Sequence, residues 1–152
     1  MAMTRFLSAS RAFPSPASSG VNHAPPADSG ESTLGVMFVQ RVSGLAKFTA
    51  DKMGKSSIVQ GEFLFAGLNS FEPGQEHAPH AHQGQDKLYL ILEGSGLVQV
   101  GDQIERLSAG DAAFAPSGIV HSIRNLGPER LVVMAVLGPP PRDGAGSINA
   151  TP

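Results

Sequence analysis

The chain of 152 residues contains no cysteine, which excludes disulfides, thiolate metal ligands and cysteine nucleophiles. It has no apolar run long enough to cross a bilayer as a helix. Excess charge of either sign is missing too. Eleven Lys and Arg against 13 Asp and Glu give a formal net charge of -2, with no basic stripe to capture a phosphate backbone. Neither nucleic acid nor membrane is an expected partner; a small molecule is, with the cytoplasm as the expected location. Amphipathic helices of ordinary length are absent as well, so βαβ units are not expected.

Glycine and proline are plentiful, and they concentrate towards the ends. Residues 1–33 are dominated by Ser, Ala, Pro and Gly and keep no period, so they bury too little to offset their ordering entropy. Arg5 and Arg11, with no acid before Asp28, give this stretch a loose likeness to a transit peptide. A disordered arm, or one that pairs with a partner subunit, is the preferred reading. Residues 139–152, "PPPRDGAGSINATP", are interrupted by proline and read as a disordered tail.

Between them, residues 34–138 break into short strand-like pieces at about 34–39, 45–50, 62–71, 87–93, 96–100, 111–116, 121–125 and 130–137. Turn residues punctuate the gaps, as in "EGSG", "SAGD" and "APSG". Many short strands at tight spacing predict an all-β sandwich or barrel. "LYLILE" and "RLVVMAVL" are apolar on both faces, and each face needs a cover. A homodimer with sheet-to-sheet burial follows.

The chemistry concentrates in "HAPHAH" at 77–82. In an extended segment His80 and His82 face one side, and Pro79 favours extension before it. Two imidazoles on one face suit adjacent positions around zinc, iron, manganese, nickel or copper. His121, after the "PSG" turn, is the only histidine downstream and is the candidate third ligand. His77 sits at an odd offset from His80 and is expected to aim elsewhere.

The stretch "GQEHAPHAHQGQDKLYLILEG" resembles the first motif of the cupin family: Gly74, five residues, then His80-x-His82, with Gly94 at its end. "GDAAFAPSGIVHSIRN" resembles the second, with Gly110, Pro116, Gly118, His121 and Asn125 at matching intervals. The resemblance covers about residues 60–137. It implies a small double-stranded β-helix, or jelly-roll barrel. His80, His82 and His121 would then hold a divalent transition metal (Fe, Mn, Zn or Ni) at its mouth. Gly94 and Gly96 would turn one strand into the next, and Pro116 and Gly118 would shape the bend that delivers His121.

The family's glutamate ligand is missing from its place. Counting back from Gly94 reaches Lys87; counting on from His82 reaches Asp86. One residue changes the face of a strand, so a regular strand admits only one of them. Either Lys87, Tyr89 and Ile91 face the pocket, or a bulge near Gly84 to Asp86 brings Asp86 in as a ligand. Three functions stay open. One is a metal-dependent enzyme (dioxygenase, isomerase, lyase or decarboxylase) using Lys87, Tyr89 or Gln85 as donor or proton relay. The others are a non-catalytic ligand or metal binder, and a degenerate structural cupin without metal. Phe63, Phe65 and Phe71 are candidates for an apolar wall. The scattered Arg106, Arg124 and Arg130 argue against a polyanionic substrate, unless Arg124 turns inward.

Overall fold

Short apolar alternations bounded by glycine turns build antiparallel ladders. The computed structural model of the protein describes residues 38–141 and the backbone of Ile148–Asn149. A short 3-10 turn at Val42–Leu45 precedes β1 (Gly54–Gln60), β2 (Phe65–Phe71), β3 (Glu76–Ala81), β4 (Asp86–Glu93) and β5 (Ser95–Val100). There follow β6 (Gln103–Ser108), β7 (Ala112–Ala115), β8 (His121–Arg124), β9 (Leu131–Gly138) and β10 (Ile148–Asn149). They form two five-stranded antiparallel sheets, ordered β1-β2-β9-β4-β7 and β10-β3-β8-β5-β6. The molecule is all-β, a small double-stranded β-helix.

β4 shows how the sequence fills the barrel. Lys87, Tyr89 and Ile91 are buried, while Leu88 is exposed and Leu90 half-buried. β9 pairs Lys87 with Leu137, Tyr89 with Ala135 and Ile91 with Val133, so these three also face inward. Val98 and Ile123 meet them from the other sheet, and Phe71 and Leu131 complete the core. Each fully buried aliphatic or aromatic side chain here stabilises the fold by about 1.5–3 kcal/mol. Along β4, Ile91 lies in this apolar packing and Lys87 lies two steps away, where the interior turns polar.

Gly94 makes the β4–β5 corner at φ +74°, and an added Cβ would overlap the Arg130 carbonyl. On the outside of the same sheet, Leu88 and Phe114 are paired across β4 and β7 and stand 40% and 55% exposed.

The strand expectations need correction: of the piece at 34–39, residues 34–37 lie outside the described residues and Phe38 and Val39 are in no strand, while β3 was not among the expected pieces. "LAKFTA" at 45–50 is not a strand; its Leu45 carbonyl accepts the Ser56 hydroxyl instead of joining a ladder. "GKSSIVQ" forms β1 and "QIERLS" forms β6, neither anticipated. Both are edge strands, so half their backbone and much of their side-chain surface faces solvent, and the apolar signal is faint. Within 139–152, Ile148–Asn149 pairs with Ala81 and His80 of β3 despite the prolines before it. Residues 1–37 and most of 142–152 lie outside the described residues.

Candidate metal centre

β3 carries a bulge between His77 and His80. The one extra residue cancels the odd offset, and the His77 ring lies tilted against the His80 ring with centroids 4.0 Å apart. His77 therefore lines the interior instead of aiming elsewhere. The β3–β8 ladder sets His80 directly opposite His121, with ring centroids 4.4 Å apart. His82 follows immediately after β3, and its ring lies 5.0 Å from that of His80 and 5.4 Å from that of His121. One ligand nitrogen from each of His80, His82 and His121 falls within 4.8 Å of the others.

Backbone carbonyls fix two of these rings. His80 Nδ1 lies 2.7 Å from the Ala78 oxygen, and His121 Nδ1 lies 2.9 Å from the Ile119 oxygen. A carbonyl only accepts, so each Nδ1 carries the proton and each Nε2 holds a lone pair. His121 Nε2 is buried with no hydrogen-bond partner. A buried acceptor without a donor is costly, and this one faces two further imidazoles. The donor set fits a divalent transition metal.

The bend before β8 is clamped to the segment after β3. Gly118 N–H donates to the His82 carbonyl at 2.9 Å, Gly84 N–H to Ser117 Oγ at 2.7 Å, and Ser117 N–H to Asp86 Oδ1 at 2.9 Å. Gly118 adopts φ +79°, which favours glycine. These bonds hold His121 in register with His80 and His82.

They also settle the two registers of β4. Asp86 is exposed and spends its carboxylate on the Ser117 amide; the structure does not bring it to the histidines. Lys87 is 4% exposed, and its Nζ lies 3.4 Å from His80 Nε2 and 3.5 Å from His82 Nε2. No bulge intervenes at Gly84 to Asp86; β4 pairs regularly from Asp86 to Ile91. Tyr89 is wholly buried in the core, its hydroxyl unpartnered and its ring 5.8 Å from that of His121. Lys87 Nζ stands 4.8 Å from the Tyr89 ring centroid.

Burial dominates the electrostatics. It holds Lys87 down at about 7, with Lys55 adding repulsion. Burial, reinforced by Lys87, lowers both His80 and His82 to about 4, although the Ala78 hydrogen bond pulls His80 the other way. His77 and His121 are lowered chiefly by burial, and burial pushes the Tyr89 phenol up. The imidazoles are thus neutral at physiological pH, as ligation requires.

A cavity of about 330 Å³ opens beside the histidines. Lys55, Asn69, His77, His82, Gln85 and Lys87 line it, and its described lining contains no Asp or Glu. Gln85 is held by donating to the Pro139 carbonyl at 2.8 Å. Phe65 contributes an apolar wall, whereas Phe71 belongs to the core and Phe63 is exposed. Arg124 points outward and pairs with Glu76. The positive lining comes instead from Lys55, which sequence reasoning missed because it lies on the unanticipated β1.

An antiparallel double-stranded β-helix with two histidines at the end of one strand and a third across the ladder defines a small barrel with a metal-capable mouth. Residues 67–137 match the cupin domain. An oxalate-binding protein of Thermotoga maritima is 33% identical over 88 residues, covering 58% of this chain and 72% of that one. The crystal structure of TT1209 from Thermus thermophilus has a TM-score of 0.66 at 36% identity, covering 69% of this chain and 100% of that one. A conserved protein with a double-stranded β-helix domain from Klebsiella pneumoniae also scores 0.66, at 25% identity over 75% and 97% of the two chains. The chain belongs to the cupin family. Among the described residues, no helix is long and apolar enough to cross a membrane.

Proposed function

We propose that this cupin binds a divalent transition metal through His80, His82 and His121 and captures a small carboxylate in the adjoining cavity. The observation that carries the reading is the convergence of the three ring nitrogens, with the unpartnered His121 Nε2 among them. Bound iron, manganese, zinc or nickel would supply Lewis acidity towards ligand oxygens. The chain's own residues do the rest. The carbonyls of Ala78 and Ile119 orient the rings, and Lys55 makes the cavity attractive to an anion. A volume of about 330 Å³ is at the small end of ligand pockets and has room for a small carboxylate. The oxalate-binding relative supports a carboxylate.

Catalysis is the second reading, and the position of Lys87 favours it. An amine held near neutrality beside the ligand cavity is suited to moving a proton. Tyr89, sealed in the core, then serves as packing beneath the site. The same proposal takes 34–138 as the barrel domain and a cytoplasmic homodimer as the working form, the exposed Leu88–Phe114 pair supplying an apolar contact.

The test is calorimetric titration of metal-loaded protein with oxalate, acetate and the neutral diamide oxamide. Saturable binding of a carboxylate, with oxamide silent, supports the reading; absence of binding by any small carboxylate contradicts it. Oxalate consumption or product formation in the same samples would move the balance to catalysis.

A further inference from the structure

The residue that removes the expected carboxylate from the site also stands at ligand distance from it. We infer that Lys87 is the fourth metal donor, giving a centre of four neutral nitrogens from His80, His82, His121 and the lysine amine. The inference rests on the three-histidine reading and deepens it.

Geometry carries it. A tetrahedral centre with metal–nitrogen bonds of about 2.0–2.1 Å separates its donors by about 3.3–3.4 Å. Lys87 Nζ lies 3.4 Å from His80 Nε2 and 3.5 Å from His82 Nε2, close to that edge, while the three histidine nitrogens lie within 4.8 Å of one another, so a bound ion would draw the rings inward around itself and the amine. The β4 register places that amine inside the barrel at a position from which it cannot reach solvent freely.

The competing arrangement leaves the lysine as an ammonium that donates to the two histidines. It uses their lone pairs and still leaves His121 Nε2 buried and unpartnered. It also buries a charge with no counterion, since the ion pairs among the described residues are Arg124–Glu76 and Arg130–Glu72. Coordination by the neutral amine satisfies all four nitrogens at once. On binding an ion, Lys87 would give up one Nζ proton to solvent and turn the freed lone pair towards the site.

Two consequences follow from the donor chemistry. Nitrogen donors without a carboxylate favour zinc, copper or nickel over manganese. With no anionic protein ligand, a bound divalent ion would keep both its charges and favour an anion from the Lys55-lined cavity.

The test compares the full chain with Lys87→Met, Lys87→Glu and His121→Ala. Its readouts are zinc affinity against a chelator and the nitrogen hyperfine pattern of bound copper(II) in electron paramagnetic resonance. Expected in Lys87→Met is a loss of zinc affinity at least as large as the roughly tenfold cost of losing a mere supporting partner, with one nitrogen fewer in the spectrum. Lys87→Glu should shift preference towards manganese. Labelling the wild-type chain with 15N at lysine Nζ should alter the copper pattern without any substitution. Unchanged or tighter zinc binding in Lys87→Met, with an unaltered pattern in the labelled protein, would overturn the inference and leave the three-histidine site standing. Failure of the wild type itself to bind metal would overturn both.

Discussion

Asp86 and Lys87 are neighbours on β4 that serve opposite faces: Asp86 Oδ1 accepts the Ser117 amide at 2.9 Å, and Lys87 Nζ lies 3.4 Å from His80 Nε2. The first fastens the bend that carries His121, and the second enters the site that His121 helps to form. Replacing Asp86 by Ala should therefore loosen the bend without removing a ligand. The expected cost is about 1 kcal/mol, because the lost bond is exposed. Metal stoichiometry should not change. Thermal denaturation and metal analysis of Asp86→Ala check this; a folded variant without metal would make Asp86 a ligand after all.

Acid should weaken the metal-free protein. His80 and His82 are held at about 4 in the fold, against an ordinary value of 6.5. Between those values the unfolded chain binds protons that the native state refuses, so stability falls as pH drops from 6.5 towards 4. Above pH 6.5 neither residue contributes. Buried His80 accounts for on the order of 3 kcal/mol, and half-buried His82 for less. Thermal midpoints of metal-stripped protein across this range should slope accordingly and slope less steeply in His80→Gln with His82→Gln, the remainder coming from His77 and His121, which burial also lowers. A flat wild-type profile would contradict the prediction.

Lys55 lines the cavity but is not a candidate ligand. Lys55→Met should weaken carboxylate binding several-fold, on the order of 1 kcal/mol for one exposed charge, and leave metal affinity intact. Added salt should narrow the difference between the two proteins. Calorimetry at two ionic strengths decides it, and equal affinity for both proteins would remove Lys55 from the ligand site.

The Leu88–Phe114 pair makes a prediction about assembly. If this face joins two copies, Leu88→Ser with Phe114→Ser should shift the particle from dimer to monomer in light scattering after size exclusion. The fold should be retained, since both side chains already face outward. A wild-type monomer would sink the dimer proposal.

Much of the site can be read from short-range spacing. The i, i+2 relation of His80 and His82 and the intervals from Gly110 to His121 need no tertiary knowledge, and the alternation in "DKLYLILE" sends Lys87 inward once no bulge precedes it. His77 could not be placed this way, because the bulge that turns it inward belongs to the β3–β8 pairing. Lys55 escaped for a different reason: β1 is an edge strand rich in serine, with almost no apolar alternation. β6 was hidden likewise. "LAKFTA" misled in the opposite direction, since its alternation is strand-like but the Leu45 carbonyl is taken by a serine hydroxyl. The carbonyl bonds that fix the His80 and His121 tautomers are local, yet only the β3 bulge and the folded turn before β8 bring each ring back onto its own chain.

Metal content tests the account most directly. Protein purified without an affinity tag, stripped and reconstituted separately with iron, manganese, zinc and nickel, should retain one of these metals at one equivalent per chain. His121→Ala, shown to be folded by circular dichroism, should lose it. Wild-type protein that retains none of the four, or a His121→Ala variant that holds metal as firmly as the wild type, would contradict the three-histidine centre.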